Sequence, residues 1–268
     1  MKPARLLLAT ALLLTLALGL FAFQRVGRGG GRAQLAFPTG PDAPSEFYFS
    51  RLRYNSGYAS GGSFGYGGFR GGWQQDFPRA DHDCLVFLRR LTRIFSPSEI
   101  NVVDIDSNSL FDYPWLYAVG VNTWTFTDEE AARMRDYLMK GGFLMVDHFH
   151  NDDQWARFMD GMSMVLPGYT VEDLPDNDEI YHVLYSIDDK FQIPGEQYIN
   201  TGRTYEQNGF IPHWRGIRDS HGRVIVAICF NMHLGDAWEW ANTPEYPEKF
   251  SGLAFRVVLN YITYSMTH

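Results

Sequence analysis

The chain alternates between short, continuously apolar runs and longer segments with a helical period. Residues 143–146 and 224–230 are continuous apolar runs, as expected of strands that are buried on both faces. Other apolar or alternating runs predict further strands at 46–54, 101–106, 115–121 and 180–187, and helical periodicity predicts helices at 80–94, 128–140, 152–164 and 253–264. Strands that alternate with helices predict an α/β fold, a three-layer sandwich with a mostly parallel central sheet.

A dense group of polar side chains starts where the first apolar run ends. It consists of Asp147, His148, His150, Asp152 and Asp153. Ligands of open α/β sheets bind outside the carboxyl ends of the strands. Imidazole and carboxylate groups together can hold a divalent metal ion or form a general acid–base pair. The alternative is that Asp152 caps the next helix and the others are surface polar groups.

A second polar group follows the other apolar run. His233, Asp236 and Glu239 come after residue 230, and Trp238 and Trp240 flank the glutamate. If the two runs are parallel neighbours, both groups lie at the same edge of the sheet. We predict ligand-binding roles for His150, His233, Asp236 and Trp238, and acid–base roles for Asp147, His148 and Glu239. A helix cap with a salt bridge is the alternative for the second group.

A third candidate group flanks a glycine-rich segment at residues 55–72. Arg51 and Tyr54 precede this segment, and Trp73 and Asp76 follow it. Arg51 can bind an anionic ligand with both arms of its guanidinium, or it can simply balance Asp76 within the fold. The segment contains no dinucleotide-binding fingerprint that opens a helix. Loops of this length are usually functional or disordered.

The composition limits the partners of the protein. The chain carries a net charge of −8, and no basic patch stands out, which argues against nucleic acid. Aromatic residues make up 16% of the chain, enough for a lined groove as well as a core. We expect a small polar ligand or a protein partner. The sequence demands no cofactor, although His148, His150, His233 and Asp236 are candidate ligands of a divalent metal ion.

The amino-terminal residues predict export. Lys2 and Arg5 precede residues 6–23, which contain no charge, so residues 1–24 are expected to be a signal peptide or a signal anchor. Residues 25–44 have the composition of a flexible linker, and residues 45–268 form the folded domain. Whether the leader is cleaved or retained, that domain is predicted to be extracytoplasmic. A retained leader would tether it to the membrane.

The two cysteines, Cys84 and Cys229, lie in a helical pattern and a buried-strand pattern, respectively. They can pair in an oxidising compartment, or they can be small buried apolar side chains. Neither has the sequence context of a nucleophile.

Several motifs together carry a family resemblance. They are Phe49-x-Arg51-x-x-Tyr54, Trp73-x-x-Asp76-x-Pro78-x-x-Asp81, Tyr113-Pro114, Gly141-Gly142-Phe143-Leu144, Gly235-Asp236-Ala237-Trp238-Glu239, and Asn260-Tyr261 before the terminal residues 264–268. In order and spacing, residues 46–268 resemble the bacterial DUF4159 family, whose function is unknown. The resemblance implies a fold like that of class I glutamine amidotransferases, a flavodoxin-type sandwich.

The resemblance also bears on chemistry. Where active amidotransferases carry a cysteine nucleophile, this chain has Asp147-His148, so thioester glutaminase chemistry is not expected. The arrangement is more similar to ThuA-type relatives, in which a histidine follows the Gly-Gly strand. Two hypotheses remain. The first is a domain that binds a small polar or carbohydrate-like ligand, or a protein. The second is a hydrolase in which His148 works with Asp147 or Glu239, with or without a metal ion.

Overall fold

A computed structural model of the protein describes residues 45–56 and 72–268. The predicted leader, the predicted linker and residues 57–71 of the glycine-rich segment lie outside these ranges. Among the described helices, none combines the length and the apolar character needed to cross a bilayer.

The described residues form one central sheet and a separate two-stranded pair. In chain order the strands are β1 (Ser50–Arg53), β2 (Asn55–Ser56), β3 (Asn101–Asp104), β4 (Trp115–Val119), β5 (Trp124–Thr125), β6 (Phe143–Asp147), β7 (Val171–Asp173), β8 (His213–Arg218) and β9 (Val224–Phe230). The central sheet has seven strands in the order β3-β1-β4-β6-β9-β8-β7. The first five run parallel, and β8 is antiparallel to both of its neighbours. Strands β2 and β5 form the antiparallel pair.

Helices cover both faces of the sheet. They are α1 (Arg79–Leu91), α2 (Asp128–Met139), α3 (Asn151–Val165), α4 (Gln197–Thr201), α5 (Leu234–Glu239) and α6 (Glu248–Thr267). The core on one face contains apolar side chains of α1, α5 and α6, and the core on the other contains those of α2 and α3. This arrangement confirms the predicted α/β sandwich of three layers with a mostly parallel sheet.

Local sequence explains why α2 and β6 begin and end where they do. The hydroxyl of Thr127 accepts from the backbone of Glu130, and the carboxylate of Glu130 accepts from the backbone of Thr127, so a complete capping box opens α2. Beyond α2, a Cβ at Gly142 would lie 2.4 Å from the ring of Tyr137. Only glycine therefore allows the chain to pass beneath this ring into β6.

The predicted strand at 180–187 is wrong. Residues Glu179–Tyr181 form a 3₁₀ turn, and the chain after it is irregular. The side chain of Asn260 on α6 bonds both the backbone N–H and the carbonyl of Tyr185, at 2.8 and 2.9 Å. A buried side chain therefore takes the place of a neighbouring strand. The prediction also missed β7 and β8, the antiparallel edge of the sheet.

Both cysteines are buried and unpaired. Burial raises the pKa of the Cys84 and Cys229 thiols well above the ordinary value. These thiols are therefore packed as apolar groups, and the disulfide alternative does not occur in the described structure.

A buried ion pair joins β1 to α1. Arg51 and Asp81 are both fully buried, with Nε to Oδ2 at 3.0 Å and Nη2 to Oδ1 at 2.6 Å. The guanidinium carbon also lies 4.6 Å from the ring centre of Tyr117. Arg51 is therefore balanced within the fold, but by Asp81 and not by Asp76.

Replacing Asp81 with Asn should destabilise the protein strongly, because it leaves the guanidinium of Arg51 buried without a counter-charge. We expect a loss of about 3–5 kcal/mol in the free energy of unfolding, measured with denaturant. The control is Asp104→Asn, which breaks the pair with Arg53; those side chains are 34% and 49% exposed. This change should cost less than about 1 kcal/mol. Equal losses in the two variants would contradict the structural role of the buried pair.

Candidate functional site

The two polar turns predicted from the sequence meet at one edge of the sheet. Strands β6 and β9 are parallel neighbours, and Val146 pairs with Ile228 near their carboxyl ends. The first residue after each strand is left-handed: φ is 55° at His148 and 61° at Asn231. The backbone N–H of Asn231 donates to the carbonyl of Phe149 at 3.1 Å, which ties the two turns together.

Three imidazoles and four carboxylates gather at this edge. We call this group the histidine–carboxylate cluster; its members are His148, His150, His233, Asp76, Glu206, Asp236 and Glu239. The rings of His148 and His233 are stacked, 3.6 Å apart and nearly parallel at 4°. The ring of His150 crosses that of His148 at 69°, with the ring centres 5.6 Å apart.

His233 is the charged imidazole of the cluster. Its Nε2 lies 2.6 Å from Oδ2 of Asp76, and its Nδ1 lies 3.1 Å from Oδ2 of Asp236. Burial by itself would lower the pKa of His233, but the charges of Asp236 and Asp76 outweigh burial and raise it well above the ordinary value. His233 is thus an imidazolium whose two N–H groups are held by carboxylates.

His148 and His150 are neutral imidazoles. Burial is the main cause that lowers their pKa values, to about 3 for His148 and about 4 for His150, and the positive charge of His233 adds to the effect. Among the described residues, neither ring nitrogen of His150 has a hydrogen-bond partner, and Nδ1 of His148 has none either. Unprotonated nitrogens without partners are the form of imidazole that binds a metal ion.

Glu206 supplies the carboxylate that these two imidazoles face. Its oxygens lie 3.6 Å from Nε2 of His150 and 3.9 Å from Nε2 of His148. Burial alone would raise the pKa of Glu206, but the hydrogen bond and charge of His233 hold it well below the usual range. Glu206 is 24% exposed and His148 is 17% exposed, so this part of the cluster is open to solvent.

The residues fit a divalent metal ion best at His148, His150 and Glu206. One donor atom from each lies within 4.8 Å of the others. Two neutral imidazoles and one carboxylate form a donor set used by catalytic zinc sites with an open position. A set of Asp76, His148 and His233 is equally compact. It fits less well, because His233 is already hydrogen-bonded to carboxylates and its ring is stacked parallel to that of His148.

Asp147 lies beneath the cluster, in the core. It is fully buried, and its Oδ2 accepts from the hydroxyl of Tyr117 and the backbone N–H of Gly235, both at 3.0 Å. Burial raises its pKa to about 6, against the lowering effect of His233 and these hydrogen bonds. The carboxylate therefore fixes the start of α5 and does not face the open side of the cluster.

Glu239 lies at the rim of the cluster. Its carboxylate is within 4.8 Å of the carboxylates of Asp76 and Asp236, and Nη1 of Arg79 pairs with it at 3.2 Å. Burial, together with the charge of Asp76, raises the pKa of Glu239 above its ordinary value. The same edge thus concentrates negative charge.

The structure separates most of the third predicted group from the cluster. Of Arg51, Tyr54, Trp73 and Asp76, it brings only Asp76 to His233. The hydroxyl of Tyr54 donates to the carbonyl of Val119 at 2.7 Å. Trp73 is half-buried, with the guanidinium of Arg53 5.8 Å from its ring centre.

Trp238 and the pair Asp152 and Asp153 also lie apart from the open side of the cluster. Trp238 is fully buried, with its ring centre 5.1 Å from that of Tyr117, so its indole is part of the core and not the wall of an open pocket. Asp152 and Asp153 are exposed in the first turn of α3, where negative charge favours a helix.

Glu206 is not among the candidate site residues predicted from the sequence. It lies in an irregular stretch without helical or strand periodicity, between α4 and β8. The available signal was the length of that stretch, because long irregular segments inside compact domains are usually functional.

Backbone strain marks the same region. Among the described residues that are not glycine, five have positive φ: Asp76, His148, Asn151, Gln207 and Asn231. Two belong to the cluster, Gln207 follows Glu206, and the side chain of Asn231 accepts from the backbone of Asn151 at 2.9 Å. Such conformations cost free energy and concentrate at functional sites.

The backbone at Gly195 passes very close to the ring of His233. A Cβ at Gly195 would lie 2.6 Å from Nδ1 of His233 and 2.7 Å from Oδ2 of Asp236. The next backbone N–H, that of Glu196, donates to the same Asp236 oxygen at 2.6 Å. Glycine at this position therefore lets the chain hold the carboxylate against the imidazolium.

Acid should destabilise the protein through His150. In the folded state its pKa is about 4, below the ordinary 6.5, so between these values the unfolded chain binds a proton that the folded protein does not. With a chelator present, lowering the pH from 7 to 5 should cost about 2 kcal/mol of unfolding free energy through this group. His150→Gln should remove that part of the loss.

The control for this pH experiment is His82→Gln. The imidazole of His82 is 61% exposed and lies outside the cluster, so this variant removes a histidine without opening the buried site. If the His150 variant loses as much stability between pH 7 and 5 as the wild type, the buried imidazole is not neutral.

Comparison with known proteins gives a family and no activity. A search of curated proteins finds no match. The family described as "Domain of unknown function (DUF4159)" matches residues 49–266, which include every member of the cluster. Because this match covers most of the chain, the protein belongs to the DUF4159 family.

Proposed function

We propose that the domain is a metal-dependent hydrolase that binds a divalent transition-metal ion, zinc in the first instance, through His148, His150 and Glu206. The observation that carries the proposal is the state of the two imidazoles. They are neutral, three of their four ring nitrogens have no hydrogen-bond partner among the described residues, and they face an ionised carboxylate in a partly exposed site. A purely structural histidine would be expected to have its ring nitrogens hydrogen-bonded.

The proposal assigns separate roles to the metal ion and to His233. A divalent ion held by these ligands would lower the pKa of a bound water molecule and polarise a carbonyl or phosphoryl oxygen of a substrate. His233 carries a proton next to the same carboxylate, with Nδ1 3.3 Å from Oε1 of Glu206. Asp76 holds the other nitrogen of that ring and fixes its orientation. Because carboxylates hold both of its N–H groups, His233 is proposed to orient Glu206 and to balance its charge.

The proposed roles of Asp147 and Glu239 differ from those expected from the sequence. Asp147 is enclosed by the core, so we assign it the structural role of anchoring Gly235. Glu239 remains at the rim, where it can contact a substrate.

The charge of the cluster indicates the class of substrate. Four carboxylates surround the site, and the cation that contacts them from α1, Arg79, is paired with Glu239. Together with Arg79, a divalent ion and the imidazolium of His233 would balance the charge of these carboxylates. Neutral polar substrates, such as carbohydrate-like esters, amides or glycosides, are therefore favoured over charged ones. The binding hypothesis uses the same site for the same ligands, without turnover.

We also propose a more specific fold for the domain and a cellular location for the protein. The parallel order β3-β1-β4-β6-β9 supports a class I glutamine amidotransferase-like sandwich, with His148 in the turn where the nucleophile of those enzymes lies. Both cysteines are buried in the core, which supports the absence of thioester chemistry. We further propose that residues 1–24 export the domain to an extracytoplasmic compartment, as a cleaved signal peptide or a membrane anchor.

Purified protein should contain about one equivalent of a divalent metal ion that a strong chelator removes. His148→Ala and Glu206→Gln should each abolish stoichiometric binding, because each removes one of three ligands. Elemental analysis after dialysis measures the metal content. His182→Ala is the control, since this histidine bonds Ser186 and the carbonyl of Asp176 outside the cluster. Equal metal content in all three variants would rule out the proposed ligands.

Hydrolysis should depend on the same ion. On a panel of esters, amides and glycosides, turnover should stop with chelator and return with added metal. It should fall by about 10–100-fold in His233→Asn, which removes the group that orients Glu206. Neutral substrates should be preferred to charged analogues of the same size. Stoichiometric metal without turnover on any substrate would favour the binding hypothesis, and chelator-resistant turnover would contradict the metal-dependent one.

A further inference from the structure

We propose that Asn231 is a positioning residue that clamps the segment carrying Glu206 against the histidine turn. The Glu206 segment is defined as residues 202–212, between α4 and β8. The effect of the clamp on metal binding rests on the proposed function, whereas the clamp itself consists of hydrogen bonds. Asn231 does not contact the proposed metal position; it acts through Glu206 and the histidine turn.

The amide of Asn231 bonds both sides of the site. Its Oδ1 accepts from the backbone N–H of Asn151, directly after His150, at 2.9 Å. Its Nδ2 donates to the carbonyl of Ile211, in the Glu206 segment, at 2.7 Å. One side chain therefore joins the element that carries two of the proposed ligands to the element that carries the third.

Gln192 braces the same segment from a second direction. Its Nε2 donates to the carbonyl of Gly209 at 2.7 Å and to the carbonyl of Asn231 at 2.9 Å. Its Oε1 accepts from the hydroxyl of Thr204 at 2.8 Å. The Glu206 segment is thus held on both sides of the glutamate, at residues 204, 209 and 211.

The Glu206 segment needs these bonds because it buries little apolar surface at its tip. Phe210 and Ile211 are 59% and 65% exposed. Segments with few buried apolar contacts open locally at low free-energy cost. Polar bonds from buried side chains are then the main restraint on the position of the glutamate.

Local packing selects asparagine and glycine at this contact. Asn231 has φ of 61°, a left-handed conformation that asparagine tolerates better than most residues. A Cβ at Gly209 would lie 2.4 Å from Oδ1 of Asn231. Only glycine at position 209 therefore allows the Glu206 segment to approach the side chain of Asn231.

The test is amide hydrogen exchange on Asn231→Gly in the metal-free protein. Glycine accepts the positive φ, so the change removes the two side-chain bonds without adding backbone strain. We expect amides of residues 202–212 to exchange about tenfold faster or more, with the core strands unchanged. The matched control is Asn260→Ala, which also removes a buried side-chain amide with two bonds, those to Tyr185. It should leave residues 202–212 as in the wild type.

Metal affinity supplies the second readout. Asn231→Gly should bind zinc about 10–100-fold more weakly than the wild type, and Asn260→Ala should bind it equally well. Should Asn231→Gly fold poorly, Gln192→Ala tests the same restraint, with the same two expected changes.

The outcomes separate this inference from the proposed function. Unchanged exchange at 202–212 in folded Asn231→Gly or Gln192→Ala overturns the clamp, whatever the metal result. Faster exchange together with no zinc binding by the wild type would retain the clamp and overturn the metal site. Faster exchange with unchanged zinc affinity would overturn the claim that the clamp positions Glu206.

Discussion

The site depends on one constraint, the parallel pairing of β6 with β9. Both strands are completely buried, and Met145 lies opposite Ala227 while Val146 lies opposite Ile228. A shift of this register by one residue would turn every side chain of a strand to the other face, so the two helix layers hold the register in place. With the register set, the left-handed residues His148 and Asn231 direct the two following turns toward each other.

Electrostatics then gives the three neighbouring imidazoles different protonation states. His233 lies between carboxylates that keep it protonated, whereas burial and the charge of His233, stacked 3.6 Å away, keep His148 neutral. One protonated imidazole therefore lies beside two imidazoles with free lone pairs. This difference depends on burial, because in water such charges would be screened and the three rings would titrate alike.

The sequence predicted the buried strands and the meeting of the two polar turns, because both follow from local patterns. A continuous apolar run identifies a buried strand, and the residues after parallel strands share an edge. The partner of Arg51 could not be predicted in this way. Asp76 and Asp81 are five positions apart, and only the start of α1 at Arg79 decides that Asp81 faces the sheet while Asp76 turns toward His233.

The position of Glu206 could not be predicted from the pattern of apolar and polar residues. Its position follows from bonds made by Gln192 and Asn231, residues distant in sequence, and such bonds leave no periodic signal. The false strand at 180–187 has a similar origin, since its backbone is satisfied by Asn260 instead of a neighbouring strand. In both cases a buried amide side chain, not hydrophobic periodicity, determines the path of the chain.

The proposed function requires that His148, His150 and Glu206 hold a divalent metal ion. Anomalous X-ray diffraction at the zinc edge, from crystals of the zinc-loaded protein, would show whether they do. We expect one strong anomalous peak about 2.0–2.2 Å from one nitrogen of each imidazole and from an oxygen of Glu206. A peak bound instead by His233 with Asp76 or Asp236, or no peak at the cluster, would contradict it.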